Sequence, residues 1–119
     1  MFTHHHGDLN VDHNITFKAA LTACRPIKDE SVKEVYSFEI PSSTEWNASS
    51  SITYLMPDYF VDVSKSIETK INALKEYETE LREFPHPRSL KAVELNAKCW
   101  GVKMGFEAVE AFKTIRIRT

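Results

Sequence analysis

Segments with the residue pattern of β-strands alternate with helical segments along this chain, and that order limits its fold more than any other feature. Strand-type residues occupy 1–3, 32–40 and 59–63, and residues 114–118 alternate between apolar and basic side chains, which is typical of an edge strand. Apolar residues at helical spacing fall between these segments. The order β-α-β-loop-β-α-α-β predicts a single α/β domain with a mostly parallel sheet.

The first helix should follow the initial strand after a short polar loop. Asp12 or Asn14 can cap its first turn. Because Pro26 disfavours helical geometry at Arg25, the helix should end near Cys24. We expect its packed face to consist of apolar or small residues at helical spacing, namely Ile15, Ala19, Thr22 and Ala23, widened by Phe17, Ala20 and Leu21.

Two further helices are predicted in the second half of the chain. Ser66 is suited to cap a long amphipathic helix that runs to a break at Pro85, and Ser89 should begin the next helix. Gly101 or Gly105 can end that last helix. The expected apolar faces are Ile67, Ile71, Leu74, Tyr77 and Leu81 in the long helix, and Leu90, Val93, Ala97 and Trp100 in the last one.

Composition and charge argue against several classes of protein. The 119 residues are 42% hydrophobic and 27% charged, which is ordinary for a globular protein and unlike a disordered chain. The formal net charge of -2 argues against a dedicated nucleic-acid binder. We expect no signal peptide, because residues 1–15 are polar and histidine-rich, and no membrane span. Two cysteines cannot build a disulfide framework, so a cytoplasmic location is favoured.

The segment at residues 3–14, THHHGDLNVDHN, carries the chemistry that can be recognised in the sequence. It lies where the first strand gives way to the first helix, and ligands of open α/β sheets bind at the carboxyl ends of strands. Four histidines and two aspartates fall within ten residues there. Histidine is a common zinc ligand, and aspartate can bind metal or orient a histidine that does. The spacing matches no short zinc motif, so a solvated turn is the alternative.

Three segments of the chain, in matching order, resemble the PIG-L/LmbE-type N-deacetylases. The metal motif of that family, which lies just before a helix, is similar to GDLNVDHNITFKAALTACRP. A strand and loop of one bacterial branch are similar to SVKEVYSFEIPSSTEW. The C-terminal helices of the family and their ending are similar to ALKEYETELREFPHPRSLKAVELNAKCWGVKMGFEAVEAF. The resemblance covers nearly all of the chain and implies the C-terminal portion of a Rossmann-like, three-layer α/β/α sandwich.

The resemblance implies a zinc-dependent amidohydrolase that removes the acetyl group from an N-acetylglucosamine-type sugar or conjugate, with zinc-bound water as the nucleophile. The final motif histidine of the family, here His13, is a zinc ligand, and the preceding Asp12 orients a neighbouring motif histidine. Asn10 stands in the place of that histidine; it can donate a hydrogen bond to an oxyanion but cannot act as a general acid. His5 or His6 can substitute for the missing acid.

A second departure from the family pattern is larger. Family members carry an A-H-P-D-D-E-like motif that supplies two zinc ligands and the general base, and this chain has no such segment. Catalytic zinc needs three protein ligands, of which the chain offers one. We therefore expect residues 1–119 to be the second half of a deacetylase domain, inactive by itself. The alternatives are a split subunit completed in trans by an N-terminal half, and a non-catalytic remnant that binds a sugar or a protein.

Three residues outside the motif are further candidates for the substrate site. Glu45 and Trp46 lie in the polar loop 41–51, where the aromatic ring can pack on a sugar, contact another subunit or anchor the loop to the core. Arg88 lies in a proline-bounded turn, where pairing with a carboxylate is the structural alternative to substrate binding. The expected partners are an N-acetylated amino sugar and either a second copy of the chain or a complementing N-terminal half.

Overall fold

The computed structural model describes residues 1–48, 50 and 53–119, and its elements follow the predicted order. They are β1 (Phe2–His4), α1 (Val11–Ala23), β2 (Glu34–Phe38), β3 (Tyr59–Asp62), α2 (Ile67–Lys75), α3 (Leu90–Met104) and β4 (Val109–Ile117). The four strands form one mixed sheet in the order β1-β2-β4-β3, so the fold is α/β. Residues 49 and 51 of the predicted loop 41–51 lie outside the described residues.

The sheet is not mostly parallel, so that prediction is wrong. β1 and β2 run parallel, with His4 opposite Phe38, and α1 forms the crossover between them. β2 and β4 run antiparallel, with Phe38 opposite Phe112. β4 has β2 on one side and β3 on the other, so it is an inner strand and the predicted edge strand is also wrong. The alternation of apolar and polar residues indicates a strand but not its direction or its neighbours.

Residues 1–59 and 112–119 form one compact unit. Within it, α1 packs on β1, and the buried side chains include Cys24, Val35 and Leu55. The second compact unit comprises residues 60–111. There α2 packs on α3, and the buried apolar side chains are Ala97, Ala108, Val109 and Ala111. Among the described residues, no helix has both the length and the apolar character needed to cross a membrane.

α1 begins two or four residues earlier than the two alternatives predicted from the sequence. Asn10 is the N-cap, and its Oδ1 accepts the N–H of Asp12 at 2.9 Å, so the prediction of Asp12 or Asn14 as the cap is wrong. The predicted end near Cys24 is confirmed, because Cys24 is the C-cap.

The packed face of α1 differs from the predicted one. Ile15 is 59% exposed, and Ala19, Thr22 and Ala23 are exposed as well. The half-buried apolar side chains of the helix are those of Phe17, Ala20 and Leu21. Apolar residues lie around the whole circumference of α1, so their spacing did not identify the face that packs on β1.

α2 ends at Lys75, several residues before the predicted end. The N–H of Tyr77 donates to the carbonyl of Leu74 only three residues back, a bond that tightens and closes the last turn. Continuing the helix would place the like charges of Glu76 and Glu80 one turn apart, which is unfavourable. Tyr77 and Leu81 are therefore not part of a helical face.

α3 matches its predicted boundaries. The Oγ of Ser89 accepts the N–H of Ala92 at 3.1 Å, which confirms Ser89 as the N-cap. Of the two glycines proposed to end the helix, Gly105 is the C-cap, with a left-handed φ of 79° and its N–H bonded to the carbonyl of Gly101. The predicted face is confirmed, since its four side chains are buried or half-buried.

Candidate functional site

A buried carboxylate joins the loops that follow β1 and β2, at the carboxyl ends of these two parallel strands. The Oδ1 of Asp8 accepts the hydroxyl of Thr44 at 2.6 Å, and its Oδ2 lies 2.8 Å from Nδ1 of His13. The Asp8 side chain is fully buried. Because burying a carboxylate is costly unless it is hydrogen-bonded, these two bonds are what makes its position tolerable. Clefts at this end of parallel strands are where α/β folds bind ligands.

His13 sits in the first turn of α1 with its side chain 17% exposed. Its Nδ1 faces Asp8 and also lies 3.3 Å from the Oγ of Ser43. The ring of His4 stacks on the ring of His13, with centroids 4.3 Å apart. Because Nδ1 of His13 contacts Asp8 and one face of the ring stacks on His4, Nε2 is the His13 atom that can bind a ligand.

Asn10 links the start of α1 to the loop after β2. Its backbone N–H donates to the Oγ of Ser43 at 3.2 Å, while its side-chain Oδ1 caps the helix. The Nδ2 of Asn14 donates to the carbonyls of Asp8 at 2.7 Å and of Asn10 at 2.8 Å, closing the loop onto the helix. The capping role uses Oδ1 of Asn10, so its Nδ2 is the group that can donate to a ligand.

The carboxylate that contacts the motif histidine is Asp8 rather than Asp12. Asp12 is exposed in the first turn of α1, where a negative charge is favourable, and the structure gives its carboxylate no bond to His13. The orienting role that the resemblance implies for Asp12 stays a prediction.

His5 and His6 differ sharply in their surroundings. His5 is 2% exposed, and its Nε2 donates to the carbonyl of Thr53 at 2.7 Å, which ties the loop after β1 to residue 53. His6 is exposed, with its ring 4.4 Å from that of His5 and 5.5 Å from that of Phe17. His5 thus stabilises the loop, and contact of either ring with a substrate stays a prediction.

Gly7 allows the close approach of residue 53 to this loop. A Cβ at Gly7 would lie 2.2 Å from the carbonyl oxygen and 2.7 Å from the Cα of Thr53. The Gly7 carbonyl also accepts a hydrogen bond from Nδ2 of Asn47. Only glycine fits here, because the two nearest atoms that a Cβ would meet belong to the backbone of Thr53.

Burial lowers the pKa of His4 and the pKa of His5. The nearby His13 lowers the pKa of His4 further, while Asp8 opposes the shift. At His5 the hydrogen bond to Thr53 and the charge of Asp8 both oppose it. Both rings therefore favour the neutral form, which is the form that can bind a metal or accept a proton.

The remaining predicted site residues make local contacts. The Oε1 of Glu45 accepts the N–H of Ser42 at 2.8 Å, which closes the turn after β2, and Trp46 is 54% exposed. In the second unit, the Nη1 of Arg88 donates to the Oε2 of Glu80 at 2.6 Å. The pairing of Arg88 with a carboxylate is the structural alternative considered for it, and substrate contacts of these three residues stay predictions.

Among the described residues, no group of three histidine, cysteine, aspartate or glutamate side chains is placed to hold one metal ion. His13 with its Asp8 partner fits the requirement for one ligand, since metal-binding histidines commonly donate their other ring N–H to a carboxylate. The chain therefore provides one fitted ligand within its described part, not a complete zinc site.

The sequence pointed to His13 and counted both aspartates of the segment as candidates, but the resemblance assigned an orienting role to Asp12 and not to Asp8, and Ser43 and Thr44 were missed. The signal that could have found them is their position, because the predicted turn at Asp8 and the polar loop containing Ser43 and Thr44 follow neighbouring strands. No protein-family model matches the chain, and no curated protein matches it.

Proposed function

We propose that this chain contributes one side of the active site of a PIG-L/LmbE-type zinc-dependent N-deacetylase, a cytoplasmic enzyme acting on an N-acetylglucosamine-type sugar or conjugate. The observation that carries the proposal is the Asp8–His13 pair at the carboxyl ends of β1 and β2. It places a buried carboxylate behind the histidine that the family resemblance selects as a zinc ligand. We also propose that these elements belong to a three-layer, Rossmann-like sandwich.

His13 would bind zinc through Nε2, and bound zinc supplies an activated water in such enzymes. Asn10 lies three residues before His13 at the helix N-terminus, where its Nδ2 can donate to the oxyanion that forms from the acetamide carbonyl. His6, whose ring is exposed, is the candidate for protonating the leaving amine, because the buried His5 favours the neutral form and uses its Nε2–H for Thr53. Glu45, Trp46 and Arg88 are the candidates for binding the sugar.

The described residues do not complete the zinc site, so the proposal assigns the other two ligands and the general base to a segment with an A-H-P-D-D-E-like motif. That segment belongs either to the same polypeptide or to a separately encoded partner. The 119-residue chain alone is then expected to be inactive, and the complete assembly active.

The first test is the coding sequence upstream of Met1, which should contain the missing motif in frame or in a neighbouring gene. The two parts are then produced together, and acetate release from an N-acetylglucosaminide is measured with zinc and with a chelator. We expect zinc-dependent release only when both parts are present, and loss of release in His13→Ala. Lys98→Ala, which alters the exposed Lys98–Glu94 pair of α3, is the control and should keep full activity.

Acetate release by the purified 119-residue chain would contradict the proposal that the active site is divided between this chain and another segment. Zinc-independent binding of N-acetylglucosamine, with no release in any mixture, would instead support a sugar-binding module. An assembly that neither binds nor hydrolyses the sugar would overturn the proposed function.

A further inference from the structure

We infer that Asp8, held in place by Thr44, is a positioning residue that fixes the tautomer and the orientation of the His13 ring. The inference rests on the proposed function for what His13 does with its other nitrogen. The hydrogen-bond geometry from which it is drawn involves no metal, and it can be tested without one.

The hydrogen bonds that run from Ile40 through Thr44 to Asp8 all donate toward the Asp8 carboxylate. The N–H of Ile40 donates to the Oγ1 of Thr44 at 2.7 Å, so the hydroxyl proton of Thr44 is available for Oδ1 of Asp8 at 2.6 Å. An ionised carboxylate has no proton to donate, so Oδ2 of Asp8 must accept. The proton between Asp8 and His13 therefore belongs to Nδ1 of His13.

The other tautomer would place two lone pairs against each other. With Nδ1 unprotonated, it would face the carboxylate oxygen of Asp8 across 2.8 Å, inside a site where the carboxylate is fully buried. Repulsion between unpaired acceptors is strong where water is excluded. The Ser43 hydroxyl could donate to Nδ1 in that tautomer at 3.3 Å, but it would leave Oδ2 of Asp8 facing a lone pair at the shorter distance.

The consequence is a His13 ring whose Nε2 carries the lone pair. The stacked ring of His4 limits rotation of the imidazole plane, and the bond to Asp8 sets its direction. A ring fixed in this way can bind a cation or accept a proton at Nε2 without first changing its tautomer, which saves the free energy of reorganisation.

Nitrogen-15 NMR measures the tautomer directly. The two-bond correlations between ring protons and ring nitrogens are recorded near pH 8, where histidine is neutral, and the His13 signals are assigned by their loss in His13→Gln. We expect the Nδ1–H form to predominate in the wild-type chain. In Asp8→Asn the ratio of the Nδ1–H to the Nε2–H form should fall about tenfold or more, because the charged acceptor is lost.

Asp12→Asn is the matched control, since it removes the same charge one residue before His13 from an exposed carboxylate. It should leave the tautomer ratio unchanged. Thr44→Val should lower the ratio about threefold, because the carboxylate is no longer held, and Thr44→Ser, which keeps the hydroxyl, should restore it.

A wild-type His13 that is mainly in the Nε2–H form would overturn the inference, and so would equal ratios in Asp8→Asn and Asp12→Asn. If Asp8→Asn fails to fold, the His13 tautomer ratios of the wild type and of the two Thr44 variants still test the inference. Absence of zinc-dependent deacetylation would overturn the proposed function and leave the tautomer result unaffected, so the two failures are distinguishable.

Discussion

Two connecting segments of this protein differ in where their polar side chains lie and in how far along the chain their hydrogen-bond partners are. The loop after β1, residues 5–10, buries the polar side chains of His5 and Asp8 and bonds them to residues far along the chain, as Asp8 does with Thr44, 36 positions away. The segment after α2, residues 76–89, keeps most of its charges exposed and bonds them nearby, as Arg88 does with Glu80, 8 positions away.

This difference indicates which of the two segments constrains the folded conformation more strongly. A buried polar group loses its hydration and needs a partner in a fixed place, so each member of the network around Asp8 constrains the others. An exposed ion pair exchanges water for a partner at little gain. We therefore expect substitutions in the first segment to cost far more free energy of unfolding than equivalent substitutions in the second.

The largest effect is expected at Gly7. Gly7→Ala would press a methyl group against the backbone of Thr53, which cannot move without displacing the loop, so we expect a loss of about 3 kcal/mol or more in the free energy of unfolding. Gly105→Ala is the matched change: its Cβ meets no atom within 4 Å, and only its left-handed φ costs about 1 kcal/mol. Urea denaturation of both variants measures the difference, and equal losses would contradict the close approach at Gly7.

The two carboxylates give the next comparison. Asp8→Ala leaves the donors of Thr44 and His13 without their buried acceptor, so we expect a loss of about 2–3 kcal/mol. Glu80→Ala removes the exposed partner of Arg88 and should cost less than about 1 kcal/mol. Chemical denaturation at matched salt concentration measures the free energy of unfolding of both variants. A loss in Glu80→Ala as large as that in Asp8→Ala would contradict the expected difference between the two segments.

The contrast between local and long-range contacts also explains which features of the structure could be predicted from the sequence. The element order and both boundaries of α3 were predictable, because caps such as Ser89 depend on residues a few positions away. The position of His13 as a candidate ligand came from the family resemblance. Its contact with Asp8 spans only five residues and depends on how the loop turns into α1. The support that Asp8 receives from Thr44, 36 positions away, depends on which strands are neighbours and in which direction they run. Local patterns do not contain that information, and they also misassigned the packed face of α1, where Ile15 is exposed.

The buried loop should also make stability depend on pH. Burial lowers the pKa of His5 below its ordinary value of 6.5, so the unfolded chain binds the proton more readily than the folded one. The associated stability is fully present above pH 6.5 and is lost as the pH falls below it. The groups whose charges act on His5 are His6, which lowers its pKa, and Asp8, which raises it.

We expect the free energy of unfolding to decrease between about pH 7 and pH 5, with a slope of at most about 1.4 kcal/mol per pH unit from one group. His5→Gln keeps an N–H donor for Thr53 and removes the titration, so its decrease should be smaller. Part of the decrease should persist through His4, whose pKa is also lowered. Denaturation curves at several pH values test this, and identical pH profiles for wild type and His5→Gln would exclude His5 as a source.

The smallest expected effect separates two serines that the sequence presents as equivalent caps. The Oγ of Ser89 accepts the N–H of Ala92, whereas Ser66 makes no side-chain capping bond to α2. Ser89→Ala should therefore lower the free energy of unfolding by about 1 kcal/mol, and Ser66→Ala should change it little. Both serines lie in the second unit and act within one turn of a helix, so neither change should alter the His13 tautomer. Equal losses in the two variants would show that capping alone does not set the stability of these helix starts.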